Sequence, residues 1–231
     1  DQGYEVHIAT TITDKLNLLE RSGLIVHNLD IYRGNVGISI LSELWSFFSI
    51  IKDVRPDIVH LVTIRPVLLG GIAARLAGVP ALVSAVSGLG IVFSSNNLKY
   101  KLLRQALYPF YFLAFGHKNQ KVIFQNNNDL RSLLNWGVIS TRKSILIHGS
   151  GVDLDAYSYL PESKGIPVIS FAARLLVDKG VEVFVKASEI LQKQKINARF
   201  WLIGEPDPGN INTVTEKQLR DWESAGLVEL F

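Results

Sequence analysis

Two cations five residues apart, Arg174 and Lys179, stand in the stretch 168–180 (VISFAARLLVDKG) in an order that suits anion chemistry. The apolar run reads as a strand that delivers Arg174 to its end. After a brief loop, Lys179-Gly180 opens a helix expected to run to about Lys195. The start of a helix presents unpaired backbone N–H groups and the positive end of the helix dipole. Two fixed cations beside such donors make a seat for an anion, and a diphosphate fits the charge. Without that placement the same residues would be an ordinary solvated pair of loop charges. Ligands of open α/β sheets gather at the carboxyl ends of strands, which is where this pair falls.

Six further residues fall at expected strand ends earlier in the chain: Thr63, Arg65, Ser87, Gly88, Gln125 and Asn126. Turn chemistry accounts for some of them equally well, Gly88 through backbone freedom and Asn126 as a helix cap. Arg65 is the best ligand-binding candidate, because it follows a strand and faces a helix start. The histidines His7, His27, His60, His117 and His148 show no metal-ligand spacing, and the first three lie in strands, where a structural role is expected.

The elements that carry these residues alternate. Strands are expected at 4–10, 24–31, 58–63, 81–87, 121–126 and 144–150, with short helices around 14–22 and 127–136. A helix over 38–54 is expected to be mostly buried through Leu41, Leu44, Trp45, Phe48 and Ile51, leaving Ser42, Ser46, Ser49 and Asp53 as a narrow polar stripe. Arg65-Pro66 leads into a helix to about Ala77, and Pro109 is expected to divide 98–118 into two helical pieces. The run 67–93 holds a single charge, but its glycines and Pro80 cut it into pieces too short to cross a membrane. The turn-rich PESKG at 161–165 sets an expected domain boundary near 163, dividing 1–162 from 163–231. Beyond it come the strand before Arg174, its helix, a strand at 198–204, a helix near 215–224 and a strand at 227–231. Repeated strand-helix order with β-branched strands implies an α/β fold of parallel, helix-covered sheets.

Composition narrows the chemistry. A chain of 231 residues that is 48% apolar can build a real core, and the lack of cysteine excludes disulfides and thiolate metal sites. The net charge of +3 is unevenly spread: no Asp or Glu occurs between Asp57 and Asp129, a span holding Arg65, Arg75, Lys99, Lys101, Arg104, Lys118 and Lys121. A positive field there suits phosphate groups or anionic lipid. Nucleic acid is not an expected partner, since no stacking motif accompanies the basic surface. The chain opens at Asp1 with no methionine anywhere and closes on Phe231 in an expected strand, so it reads as truncated at both ends.

Taken together, these segments resemble a family. RLLVDKG at 174–180 is similar to the Arg-Leu-x-x-x-Lys-Gly element of family 4 glycosyltransferases, and GSGVDLDAY at 149–157 to the Gly-Val-Asp segment before it. PDIVHLVTIRP at 56–66, SAVSGLG at 84–90, VIFQN at 122–126 and ARFWLIG at 198–204 resemble that family too, chiefly its bacterial members that build lipid-linked surface polysaccharides. The resemblance implies a GT-B fold of two Rossmann-like domains. In it 1–162 is the acceptor-side domain without its first strand, and 163–231 is the beginning of the nucleotide-sugar domain. Arg174 and Lys179 would grip the diphosphate of a nucleotide-sugar, usually a UDP-sugar, with Gly180 and Gly204 bordering the donor. Thr63, Arg65, Ser87, Gly88, Gln125 and Asn126 would border a lipid-linked or saccharide acceptor. The implied chemistry is retaining and front-face, with no cofactor and no metal, since the cationic pair does the work a metal does elsewhere.

Three departures qualify the resemblance. The family's paired glutamates and its glycine-rich first loop are missing from the chain, so the polypeptide is expected to be a poor catalyst by itself. Where many members carry a histidine after the fourth strand, Ser87-Gly88 stands here. Two other readings remain: a nucleotide-sugar epimerase of the same fold, and a non-catalytic sugar-nucleotide-binding module. The aromatic and basic segment 98–118, with Tyr100, Tyr108, Phe110, Tyr111, Phe112 and Phe115 beside Lys99, Lys101 and Arg104, is either a packed helix pair or a seat on anionic membrane. The second would hold a cytoplasmic enzyme at the inner face of the membrane.

Overall fold

A computed structural model describes residues 3–11, 16–29, 38–94, 97–149, 151–162, 164–210 and 212–231. The expected helix start at Asp14, the expected strand ends at Ile31 and Ser150, and the boundary residue Ser163 lie outside the described residues. The chain divides into two compact units, Asp1–Val152 and Asp153–Phe231, so the turn-rich stretch 161–165 falls within the second.

The first unit runs β1 (His7–Thr10), α1 (Leu16–Arg21), β2 (Ile25–Asn28), α2 (Ile38–Val54), β3 (Ile58–Val62) and α3 (Ile64–Ala77). It continues through β4 (Ala81–Val86), α4 (Ile91–Ser94), α5 (Leu98–Ala114), β5 (Gln120–Phe124), α6 (Asn127–Asn135) and β6 (Ser144–Leu146). Every pairing is parallel, in a two-stranded ladder β1-β2 and a four-stranded sheet β3-β4-β5-β6. Strand order thus follows chain order, as short βαβ connections dictate. Gly78 ends α3 in the left-handed conformation that glycine adopts without strain, and turns the chain into β4. No residue of β4 is exposed, because helices and neighbouring strands cover both its faces. The outer edge of β3 pairs with no described strand, and Ile58 and Val62 there stay exposed.

Two expectations about helices are corrected. The helix over 38–54 forms and packs Leu44, Phe48 and Ile51 on the core as expected, but its inward face is rotated: Leu41 and Trp45 are 72% and 68% exposed, whereas Phe47 and the carboxylate Glu43 are buried. A buried Glu43 is tolerable because Arg65 on α3 meets it with two hydrogen bonds. Helix α5 runs unbroken through Pro109 instead of splitting. The ring forfeits one helical hydrogen bond, but Pro109 lies on the exposed side, and packing on the other side holds the helix together. There Tyr111 packs 5.1 Å and Tyr108 5.3 Å from Trp136, ring centre to ring centre, and Phe93 closes the cluster. Gly71 of α3 lets the two helices approach closely, since a Cβ there would stand 3.1 Å from the Ala114 carbonyl. Lys143 donates to the carbonyls of Phe115 and His117 just past the end of α5, and burial beside Arg75 lowers its pKa.

The second unit runs β7 (Val168–Ala172), α7 (Val181–Lys193), β8 (Arg199–Ile203), α8 (Glu216–Ser224) and β9 (Glu229–Leu230), with parallel sheet order β7-β8-β9. Val181 and Val185 of α7 bury against Phe200 and Leu202. Thr215 and Gln218 form a reciprocal capping box that starts α8. Among the described residues no helix is long and apolar enough to cross a membrane, and 67–93 is split between α3, β4, the start of α4 and the turns between them.

Candidate functional site

In the second unit the chain leaves β7 at Ala172, passes Arg174, makes one tight turn at Val177–Lys179 and enters α7 after Gly180. Leu175 and Leu176 are buried and anchor the loop from below, while Arg174 and Lys179 stay exposed. Backbone hydrogen bonds lace this loop to the one after β8: Leu175 N–H to the Glu205 carbonyl at 3.1 Å, Val177 N–H to Asn212 at 2.9 Å, and Val214 N–H to Leu175 at 3.0 Å. The two cations therefore ride on a braced backbone at the carboxyl end of the sheet, beside the opening of α7. Gly180 caps that helix with φ 90°, a conformation glycine adopts at least cost.

Gly204 has a definite task there. Its φ is 137°, and a Cβ built on it would meet the Ala173 carbonyl oxygen at 2.2 Å, so only glycine lets the end of β8 pass the residue before Arg174. Sequence reasoning missed Asp207. Its carboxylate accepts a hydrogen bond from Arg174 Nη1 at 2.8 Å, and its own N–H donates to Thr213 Oγ1 at 2.8 Å. Nothing in the sequence marks a partnership across 33 residues, and Pro206-Asp207-Pro208-Gly209 reads only as a turn.

In the first unit, Thr63 and Arg65 follow β3, Ser87 and Gly88 follow β4, and Gln125 and Asn126 follow β5. These three strands are neighbours, so the six residues gather along one rim of one sheet. Their individual roles differ. Asn126 caps α6, accepting from Asp129 N–H at 2.8 Å, and Ser87 is exposed. Thr63 adopts φ 71°, unusual for a β-branched residue, while its N–H pairs with the Ala85 carbonyl at 3.1 Å. Arg65 donates from Nε to Glu43 Oε2 at 2.9 Å and from Nη2 to Oε1 at 2.5 Å, so Glu43 is the second residue that sequence reasoning missed. Three of the histidines are tied into structure, His7 stacking on His27 and His117 buried between the Val79 and Asn119 carbonyls, whereas His60 and His148 are exposed.

The sequence profile described as glycosyl transferase 4-like matches residues 1–126, more than half of the chain. The chain belongs to that family. Among curated relatives, the N,N'-diacetylbacillosaminyl-diphospho-undecaprenol alpha-1,3-N-acetylgalactosaminyltransferase of Campylobacter jejuni is 25% identical over 181 residues, 73% of this chain and 47% of its own length. The UDP-Gal:alpha-D-GlcNAc-diphosphoundecaprenol alpha-1,3-galactosyltransferase of Escherichia coli is 29% identical over 118 residues, 51% of this chain and 29% of its own. This member of the glycosyl transferase 4-like family thus spans less than half the length of the curated relatives it matches. Among solved structures, sucrose-phosphate synthase from Thermosynechococcus elongatus superposes with a TM-score of 0.69 at 16% identity, over 99% of this chain and 60% of that one. The UDP-GlcNAc 2-epimerase of Neisseria meningitidis superposes with a TM-score of 0.53 at 15% identity, over 100% of this chain and 65% of its own. These likenesses put the two parallel-sheet units in the GT-B class of α/β folds.

Proposed function

We propose that this chain belongs to an enzyme that moves a sugar from a UDP-sugar to a lipid-linked diphospho-sugar acceptor in cell-surface polysaccharide synthesis, with retention of anomeric configuration and no metal. The observation that carries the reading is the exposed pair Arg174 and Lys179 on a braced loop at the carboxyl end of β7, in a family whose curated relatives are named as transferases to undecaprenol-diphospho-sugars. Both side chains donate to diphosphate oxygens and offset the charge that grows as the bond between sugar and phosphate breaks. Arg174 must first exchange Asp207 for the diphosphate. The leaving phosphate then helps take the proton from the acceptor hydroxyl, so no separate protein base is required. The rim formed by Thr63, Arg65, Ser87, Gly88 and Gln125 receives the acceptor.

Helix α5 provides the membrane seat in this proposal. Its aromatic residues Tyr108 and Tyr111 point into the fold, but Leu98, Leu102, Phe110 and Leu113 make an exposed apolar stripe at helical spacing, with exposed Lys99 and Lys101 alongside. Each lysine near an anionic surface contributes about 1 kcal/mol. Vesicle sedimentation checks this: binding should require anionic lipid and fall when Lys99 and Lys101 become Glu, and lipid-independent behaviour would refute it. For the donor site, calorimetry with UDP should show Arg174→Ala and Lys179→Ala each weakening binding about tenfold or more, the worth of a charge-assisted hydrogen bond. Unchanged affinity in both variants would remove the diphosphate assignment.

A further inference from the structure

The ion pair between Glu43 and Arg65 has a geometry that packing does not require. Glu43 is 1% exposed on a helix whose neighbouring inward positions, Phe47 and Ile51, are apolar, and an apolar side chain there would serve stability at least as well. Arg65 is 38% exposed and sits at the carboxyl rim of β3, two residues after the strained Thr63. Glu43 occupies Nε and one proton of Nη2. A guanidinium has five N–H donors, so Nη1 and the second proton of Nη2 remain as a parallel fork, and among the described residues nothing accepts from Nη1.

We infer that Glu43 is a positioning residue, which locks the Arg65 guanidinium so that this outer fork is presented to a phosphate oxyanion of the acceptor's diphosphate. The inference rests on the proposed acceptor role of this rim. A fork held in one orientation binds two oxygens of a phosphate with little ordering left to do, which lysine cannot imitate. Simple electrostatics predicts the opposite sign for one substitution. Glu43→Gln removes a negative charge near an anion site, so charge alone would tighten binding, whereas loss of the lock would loosen it.

The test is calorimetry on the whole chain with geranyl diphosphate, inorganic pyrophosphate and UDP as probes. The expected result is that Arg65→Ala and Arg65→Lys each lose about tenfold or more in geranyl diphosphate affinity. Glu43→Gln should lose severalfold, with UDP binding unchanged in all three. The ratio of geranyl diphosphate to UDP affinity is the deciding quantity, since general destabilisation would not move it selectively. A Glu43→Gln variant that binds geranyl diphosphate as well as or better than the parent overturns the positioning role and leaves the acceptor rim standing. A parent chain that binds UDP but neither geranyl diphosphate nor pyrophosphate overturns the acceptor reading and this inference with it. If geranyl diphosphate binds and competes with UDP, Arg65 is not its seat, and the inference falls while the donor assignment stands.

Discussion

Gly204→Ala should be the most damaging single-methyl change in the second unit. Two separate costs meet at this position. A φ of 137° is a conformation L side chains avoid, at about 1–3 kcal/mol. The added Cβ would also stand 2.2 Å from the Ala173 carbonyl oxygen, which is rigid backbone at the end of β7 and cannot swing aside as a side chain would. Separating them to ordinary contact requires the ends of β7 and β8 to part by roughly 1 Å, a distortion of the overpacking kind that costs about 1–3 kcal/mol. The sum is roughly 2–6 kcal/mol, a large fraction of the stability of a small unit. The strain falls where Ala173 N–H pairs with the Ile203 carbonyl at 3.2 Å, next to Arg174, so UDP binding should weaken along with stability. Gly209→Ala in the same loop is the internal control. Its Cβ would find only the Asp207 carboxylate, at 3.6 Å, and the change should be within about 0.5 kcal/mol of neutral. Urea unfolding followed by tryptophan fluorescence measures both variants. A loss below about 1 kcal/mol for Gly204→Ala, or equal losses for the two glycines, would refute the close-approach argument.

Two further outcomes follow from single contacts. Asp207→Asn should tighten UDP binding, because Arg174 no longer has to leave a carboxylate. The pair is 62% and 33% exposed, so its worth is at most about 1 kcal/mol and the gain at most about fivefold; calorimetry showing weaker binding would mean that Asp207 orients Arg174 for the ligand. At high pH, Tyr111 should ionise well above the ordinary tyrosine value, since burial pushes its phenol from 10.0 up to about 12. The folded state then holds the proton more tightly than the unfolded chain, so this contribution to stability is intact below pH 10 and is lost as pH rises toward 12. Tyrosinate absorbance of the parent minus that of Tyr111→Phe, titrated alongside circular dichroism, checks this, and ionisation of Tyr111 near pH 10 with the fold intact would contradict it.

Local order was legible in the chain itself. Apolar periodicity and the turn residues between segments located the described strands and most of the helices within a few residues, though not the short α4, because those signals act over neighbours in sequence. The same locality explains the cationic loop: strand, cations and helix start lie within 168–180, and Gly180 does what a glycine before a helix is expected to do. The rim at the ends of β3, β4 and β5 was legible for a related reason, since parallel strands in chain order bring successive strand ends together.

What the tertiary structure alone decided were the choices that depend on a partner far along the chain. Helix α2 had two plausible inward faces, and a glutamate reads as solvent-facing until Arg65, 22 residues on, is seen to neutralise it. Proline should interrupt a helix by its own chemistry, but Tyr111, Ala114 and Phe115 bury enough surface to outweigh one missing hydrogen bond in α5. Asp207 and the crowding at Gly204 exist only because two loops are laced side by side. Sequence by itself determined the order of elements and the cationic loop, through interactions between near neighbours. The side chains that hold Arg65 and Arg174 in place were decided by packing, which joins residues whose separation in the chain carries no signal.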